Sequence, residues 1–188
     1  MDEQLLLQQI ANGDSAAFKA LYERFSSRVY NTSLSYLQNT EEAEETTQDV
    51  FVEIHRSVKT FESRSSLSTW IYRLTVNKCL DKLKHRKRQK RSAQVLRIFG
   101  IGGEIVHDVA TFDHPGILLE QKENARLLFE AIDELPAQQK TAYLLSNVEN
   151  LSGKEIAEVL GVSPKAVESL LQRAKANLRK SLSGLDIH

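Results

Sequence analysis

Apolar residues recur along this chain at helical spacing, three or four positions apart, and no stretch alternates convincingly as a half-buried strand would. The pattern predicts an all-α protein. Phe18, Leu21, Phe25, Val29 and Leu37 follow Asp14, a helix cap, and Asn39-Thr40 breaks the period. Thr40 is expected to cap the next helix. Its first turn holds Glu41, Glu42, Glu44 and Glu45, where acids suit the positive end of the helix dipole, and its stripe is Ala43, Val50, Phe51, Ile54 and Val58. A polar loop from Glu62 to Ser66 precedes a long helix that starts near Ser68-Thr69-Trp70 with Ile71, Leu74 and Leu83 inward. The period is lost from about Ser92 to Gly116, where Gly100, Gly102, Gly103 and His114-Pro115-Gly116 mark a linker. That linker is apolar (Val95, Leu96, Ile98, Phe99, Ile101, Ile105, Val106), so it is expected to dock, with a short helix near Ala93 to Phe99. A second helical unit follows, with Leu118, Leu119, Leu127, Leu128, Ile132 and Leu135 inward, then Pro136, then Tyr143, Leu144 and Val148. The expected organisation is two small domains, 1–91 and 117–188, joined by a linker over 92–116.

The sharpest local signal lies in the second unit. Ser152 followed by Glu155 is a capping box, Gly161 supplies a tight turn, and Ser163-Pro164 opens another helix. Ala157 is small where the two helices cross, and Val167 offers the buried contact. This is a helix-turn-helix, an arrangement that sets its second helix in the DNA major groove; the plainer alternative is a helical hairpin in a bundle. Val167, Leu171, Ala174 and Leu178 are expected inward, leaving Lys165, Ser169, Gln172 and Ala176 outward, flanked by Glu168, Arg173 and Arg179.

Charge changes the picture because it is segregated although the formal net charge is zero. Residues 1–50 carry nine acids and three bases, whereas residues 73–91 carry nine bases against Asp81 alone. This suggests two partners, one of them polyanionic, or else pairing of the two blocks within the chain. Cys79, the single cysteine, excludes an internal disulfide framework and reads as a packed thiol. The N-terminus lacks the basic region of a signal peptide and no apolar run is long enough for membrane insertion, so the expected compartment is the cytoplasm.

Two segments together resemble a family. Ala43–Phe51 followed by Ser68–Asn77 resembles region 2 of the bacterial extracytoplasmic-function (ECF) sigma factors of RNA polymerase. Asp133-Glu-Leu-Pro136, Glu155-Ile-Ala and Gln172–Arg179 resemble their region 4. The resemblance runs from about Leu5 to Leu182 apart from the linker. It implies a specificity subunit that binds core RNA polymerase through the β′ coiled-coil, with Gln48, Asp49, Glu53 and Arg56 as contacts, and through the β flap, near Leu144 to Val148. It implies that promoter DNA is read at two elements. The −10 element would be held as single strand by Glu62, Ser63, Arg64 and Ser65 of the loop. Trp70, Tyr72, Arg73, Asn77 and Lys78 would join them, with Lys82 and Arg86 on the duplex backbone. Trp70 could instead be core packing, and Asn77 a buried helix-to-helix bond. The −35 element would be read as duplex by Ser163, Lys165, Glu168, Ser169, Gln172 and Arg173. Many relatives carry bases where this chain has Glu168 and Leu170, which makes its recognition helix less basic. An anti-sigma factor is the expected controlling partner. In a resting compact state, acids of the first unit could meet bases of the second.

Three rivals are weaker. A stand-alone helix-turn-helix regulator needs only the second unit. A helical adaptor would use the basic block for protein. For an enzyme there is no support: the histidines are scattered, no metal-ligand spacing includes Cys79, and no glycine-rich phosphate loop follows a strand. The expectation is no catalytic residue, no metal and no cofactor.

Overall fold

The computed structural model describes residues 3–61, 65–98 and 122–183. Among them the chain is helical throughout: α1 (Glu3–Ala11), α2 (Ser15–Leu37), α3 (Thr40–Ser57), α4 (Leu67–Ile98), α5 (Lys122–Asp133), α6 (Ala137–Asn147), α7 (Gly153–Leu160) and α8 (Pro164–Leu182). A 3-10 turn, Val58–Thr60, extends α3. Among the described residues no helix is long and apolar enough to cross a membrane, and no histidine, cysteine and carboxylate cluster could hold a metal ion.

Local chemistry sets the boundaries. Asp14 accepts from the amides of Ala16 and Ala17 at 2.8 and 3.1 Å and starts α2. The cap of α3 is Asn39, whose side chain accepts from Glu42 N at 2.8 Å; Thr40, expected in that role, is the first helical residue. The shift follows from Gln38, which stops α2 in the left-handed region at φ 52° and leaves Asn39 extended. The Gln38 amide then donates to the carbonyls of Leu34 and Ser35, satisfying acceptors that a helix end would orphan. α4 starts where Ser66 Oγ accepts from Thr69 N at 3.1 Å. It runs on to Ile98, past the boundary expected at Arg91, because Ala93, Gln94, Leu96 and Arg97 favour helix.

α1 escaped the sequence pattern, yet its Leu6, Leu7 and Ile10 close the core of the first half with Leu21, Phe25, Val29, Val50, Phe51, Ile54, Val58, Leu67 and Ile71. The second core joins the two halves. Tyr36, Leu37, Tyr72, Val76 and Cys79 pack with Ile132, Leu135, Leu144, Leu145, Ile156, Val167 and Leu178 as one cluster. Tyr36 and Cys79 are fully buried at 0% exposure. A large apolar side chain buried in this way contributes about 1.5–3 kcal/mol. The compact arrangement is present, but the polar ties of Tyr72, Arg73 and Lys140 do not pair acids of the first half with bases of the second: donors come from both halves, and Lys140 Nζ of the second donates to the Tyr36 carbonyl of the first at 3.0 Å. Tyr72 Oη donates to Glu149 at 3.0 Å, and the Arg73 guanidinium donates to the Glu158 carbonyl.

Candidate nucleic-acid and protein interfaces

Three surfaces carry the residues singled out in the sequence. The first is the outer face of α3. Gln48, Asp49 and Arg56 are exposed there, and Glu53 is half-buried. Between Gln48 and Arg56 lies an apolar groove of about 360 Å³ lined by Phe18, Tyr22, Phe51, Val52 and His55. Val52 is 47% and Tyr22 44% exposed, which is unusual for side chains of this size beside a packed core. Sequence reasoning missed both. Their signal was an apolar residue one position off the buried stripe of each helix.

The second surface is the start of α4. Trp70 is half-buried and its ring lies 4.6 Å from that of Phe61, so it is partly core and partly platform. Asn77 is exposed, which removes the alternative of a buried helix-to-helix bond. Ser65 is half-buried, whereas Glu62, Ser63 and Arg64 lie outside the described residues. Arg28 of α2 also reaches this corner: it donates to Ser68 Oγ at 3.3 Å and sits 5.9 Å from the Tyr72 ring. It was not foreseen, being one of three bases among many acids. Tyr72 itself is only 6% exposed, and burial beside Glu149 holds its hydroxyl protonated, with the pKa pushed well above the ordinary phenol value.

Further along α4 the basic block is partly spent inside the protein. Lys78 pairs with Glu53 at 3.5 Å, Lys82 with Glu45, and Arg86 with Glu42 at 2.5 Å. Arg86 also donates to the Leu37 carbonyl at 3.1 Å. The fourfold spacing of Lys78, Lys82 and Arg86 puts them on one face, and the acids of α3 descend the opposing helix in reverse order. Glu45 is held below the usual carboxylate range by its hydrogen bond and attraction to Lys82. Pairing within the chain therefore accounts for part of the charge segregation. Lys87, Arg88, Lys90 and Arg91 remain exposed on the other faces.

The third surface is α8. Ser152 Oγ accepts from Glu155 N at 3.3 Å while Ser152 N donates to Glu155 Oε2 at 2.8 Å, so the capping box is closed. The Ser152 hydroxyl and amide hold Glu155 below its ordinary pKa. Gly161 turns the chain at φ 67°, and Ser163 Oγ accepts from Ala166 N at 3.2 Å. Val167, Leu170, Ala174 and Leu178 form the buried stripe. This corrects two expectations: Leu170 is core at 6% exposure, while Leu171 is only half-buried. The spacing from Val167 to Ala174 admits either residue between them, and it is Leu170 that enters the buried cluster while Leu171 packs against it partly buried. Lys165, Glu168, Ser169, Gln172 and Arg173 are all exposed, and Ser163 is exposed but engaged as a cap. Arg173 Nε donates to the Ser169 carbonyl at 3.1 Å, which lays its guanidinium along the outer face. The linker acids and apolar residues from Phe99 to Gln121 lie outside the described residues.

Comparison with known proteins gives the class of this arrangement. Residues 21–89 match sigma-70 region 2 and residues 125–178 match sigma-70 region 4. The chain is similar to the ECF RNA polymerase sigma-E factor of Haemophilus influenzae, 26% identical over 98% of this chain and 97% of the relative. It is similar to the ECF sigma factor SigW of Bacillus subtilis, 26% identical over 95% and 96%. SigM of Mycobacterium tuberculosis is 28% identical over 98% of this chain and 86% of its own length. Among solved structures the fold matches CnrH, solved in complex with the cytosolic domain of CnrY, with a TM-score of 0.68, 22% identity and 97% of each chain covered. It also matches the sigma factor RpoE of Bartonella quintana, solved with the anti-sigma factor NepR, with a TM-score of 0.63, 21% identity and 90% and 98% covered. With both regions present in order, the chain belongs to the ECF sigma factors of RNA polymerase.

Proposed function

We propose that this protein binds core RNA polymerase through the α3 face and directs promoter-specific initiation by reading two DNA elements, under control of an anti-sigma factor. Its place of action is the cytoplasm, with the polymerase. The observation that carries the reading is the separation of three surfaces on one chain. An apolar groove with a polar rim suits a protein helix, an aromatic and basic corner suits an unstacked strand, and a bare polar helix face suits a major groove. On this reading Gln48, Asp49, Val52, Glu53 and Arg56 meet the β′ coiled-coil, and the region-4 unit meets the β flap. Trp70, Arg73, Asn77 and Lys78 serve the −10 element together with loop residues 62–65, and Lys165, Glu168, Ser169, Gln172 and Arg173 serve the −35 element. Selection is the chain's task, and bond-making belongs to the polymerase. The domains of the proposal are 1–91 and 117–188, joined by 92–116.

The test is run-off transcription with purified core polymerase on a promoter library, using the wild-type chain and Val52→Asp. Discrete transcripts with the wild type, lost with Val52→Asp while DNA binding by the isolated chain is kept, are expected. A core enzyme that is neither bound nor redirected by the wild type would overturn the reading in favour of a stand-alone regulator.

A further inference from the structure

The outer face of α8 is not chemically uniform. Several of the side chains expected at the −35 element have their polar groups tied to the helix itself. Ser163 Oγ accepts from the amide of Ala166 at 3.2 Å. Ser169 Oγ donates to the Lys165 carbonyl at 3.1 Å, and Arg173 Nε donates to the Ser169 carbonyl at 3.1 Å. Lys165, Glu168 and Gln172 are exposed, and among the described residues their side chains make no hydrogen bond or ion pair. Their spacing, i, i+3 and i+7, sets them in one row along the helix. Arg173 stands on the opposite flank of the exposed face.

Three residues of helix rise about 4.5 Å and four about 6 Å, against about 3.4 Å per base pair. The row therefore meets base pairs one to two steps apart, much as a zinc-finger helix meets successive bases from three spaced residues. Glu168, in the middle, is the odd member, because its charge is repelled by the duplex. Nothing within α8 accounts for it. The first turn, where the helix dipole favours an acid, holds none, and Glu168 lies beyond it. Its neighbours one turn away are Pro164, Lys165, Leu171 and Gln172. Only Lys165 carries the complementary charge, and the two are not paired. An ionised carboxylate only accepts hydrogen bonds. Held in the groove against another acceptor, it loses hydration and gains no bond. The major-groove donors are the N4 amino group of cytosine and the N6 amino group of adenine. Adenine sets its N7 acceptor beside that donor, whereas cytosine presents the donor alone. Guanine offers acceptors only, and thymine an acceptor and a methyl group.

We infer that Glu168 sets the base preference of the −35 element: its carboxylate accepts from the N4 amino group of a cytosine within two base pairs of the one that Gln172 reads. The inference deepens the proposed −35 reading and rests on it. Glu168 acts as much by exclusion as by attraction, since a guanine or thymine in that place strands the carboxylate. Lys175 and Arg179, exposed further along α8, and Lys154 at the start of α7 attract phosphate without reading sequence. They offset the repulsion of the single acid of α8. Cytosine is expected over guanine at this position by at least about fivefold, the lower end of what a good base contact discriminates.

The experiment is sequence selection from a duplex promoter library randomised over the −35 element, with holoenzyme assembled from core polymerase and the full-length chain. Wild type, Glu168→Arg, Glu168→Gln and Gln172→Ala are compared, with helix content followed by circular dichroism. The position relaxed in Gln172→Ala marks the neighbouring base pair. Wild type is expected to select cytosine within two base pairs of that mark. Glu168→Arg should invert this pair to guanine, which its guanidinium takes at O6 and N7. Glu168→Gln, exposed and nearly isosteric, should shift the same position to adenine, with the other positions unchanged. Wild-type indifference to base around the mark would overturn the inference. So would Glu168 variants that change affinity for all sequences alike, the behaviour of a solvated charge. The same selection with the full-length chain alone separates this inference from the reading beneath it. Cytosine selected there, inverted by Glu168→Arg, but without capture of core polymerase would support the base contact and sink the sigma reading. Holoenzyme that selects a −35 element untouched by Glu168→Arg would keep the sigma reading and overturn the base contact.

Discussion

The two helices proposed to face DNA, α4 and α8, carry their charge in opposite ways. α4 is dense in bases, yet Lys78, Lys82 and Arg86 are turned onto the acids of α3, and Tyr72 and Arg73 onto the second half of the chain. α8 is less basic and carries an acid at Glu168, yet its whole outer face is exposed. The difference teaches that density of charge in a sequence does not measure what is available to a ligand. Bases at fourfold spacing beside an acidic helix are first of all a way to join two helices. A sparse polar face, backed by a clean buried stripe and closed caps, is the freer reader.

The largest effect expected of a single change separates the two faces of α8. Leu170→Arg places a charge in the core and should destabilise the protein by on the order of 3–5 kcal/mol in urea unfolding. Glu168→Arg, two residues earlier on the exposed face, should leave stability within about 0.5 kcal/mol and steepen the salt dependence of duplex binding by about one unit of slope. Normal folding of Leu170→Arg with tighter DNA binding would mean that the helix faces are exchanged.

On α4 the equivalent contrast is milder. Arg86→Ala leaves the half-buried Glu42 and the Leu37 carbonyl without their donor and should cost about 1–3 kcal/mol in thermal unfolding. Lys87→Ala, exposed next to it, should be neutral for stability but lower the slope of DNA binding against salt by about one. Equal effects of the two on stability would show that the Arg86 contacts are idle.

The smallest effect concerns acid. Glu45 and Glu155 both have folded pKa values below the ordinary 4.5. Their contribution to stability is therefore fully present above that value and is lost as pH falls through the depressed folded value. Glu155→Gln keeps a capping-box acceptor but removes the titration, so its melting temperature should fall less steeply than the wild type's below about pH 4.5. Parallel curves would assign the acid sensitivity elsewhere.

What could be read from the sequence follows the range of the forces involved. The capping box of Ser152 and Glu155, the Gly161 turn and the Ser163-Pro164 start are set within a few residues, and each was legible. The cap of α3 was displaced by one residue because Asn39 and Thr40 are both competent, and only the left-handed Gln38 before them decides. The choice between Leu170 and Leu171 needed the packing partner. The exposed Val52 and Tyr22 sit just off apolar stripes, and only assembly of α2 and α3 makes them one groove. Least legible were the seam of Lys140 with Tyr36 and the ladder of Arg86 with Glu42, contacts separated by 104 and 44 residues. A lysine in a polar helix carries no mark of burial until the other half of the chain arrives.

The most direct test of two separate readers on one polymerase-bound chain is start-site mapping on a randomised promoter library, with core polymerase and either wild type or Gln172→Ala. The account predicts that Gln172→Ala relaxes preference at upstream positions, where a lost base contact weakens discrimination by about 1–3 kcal/mol, and leaves the downstream element unchanged. A change confined to the downstream element, or selection unaffected by the loss of Gln172, would contradict it.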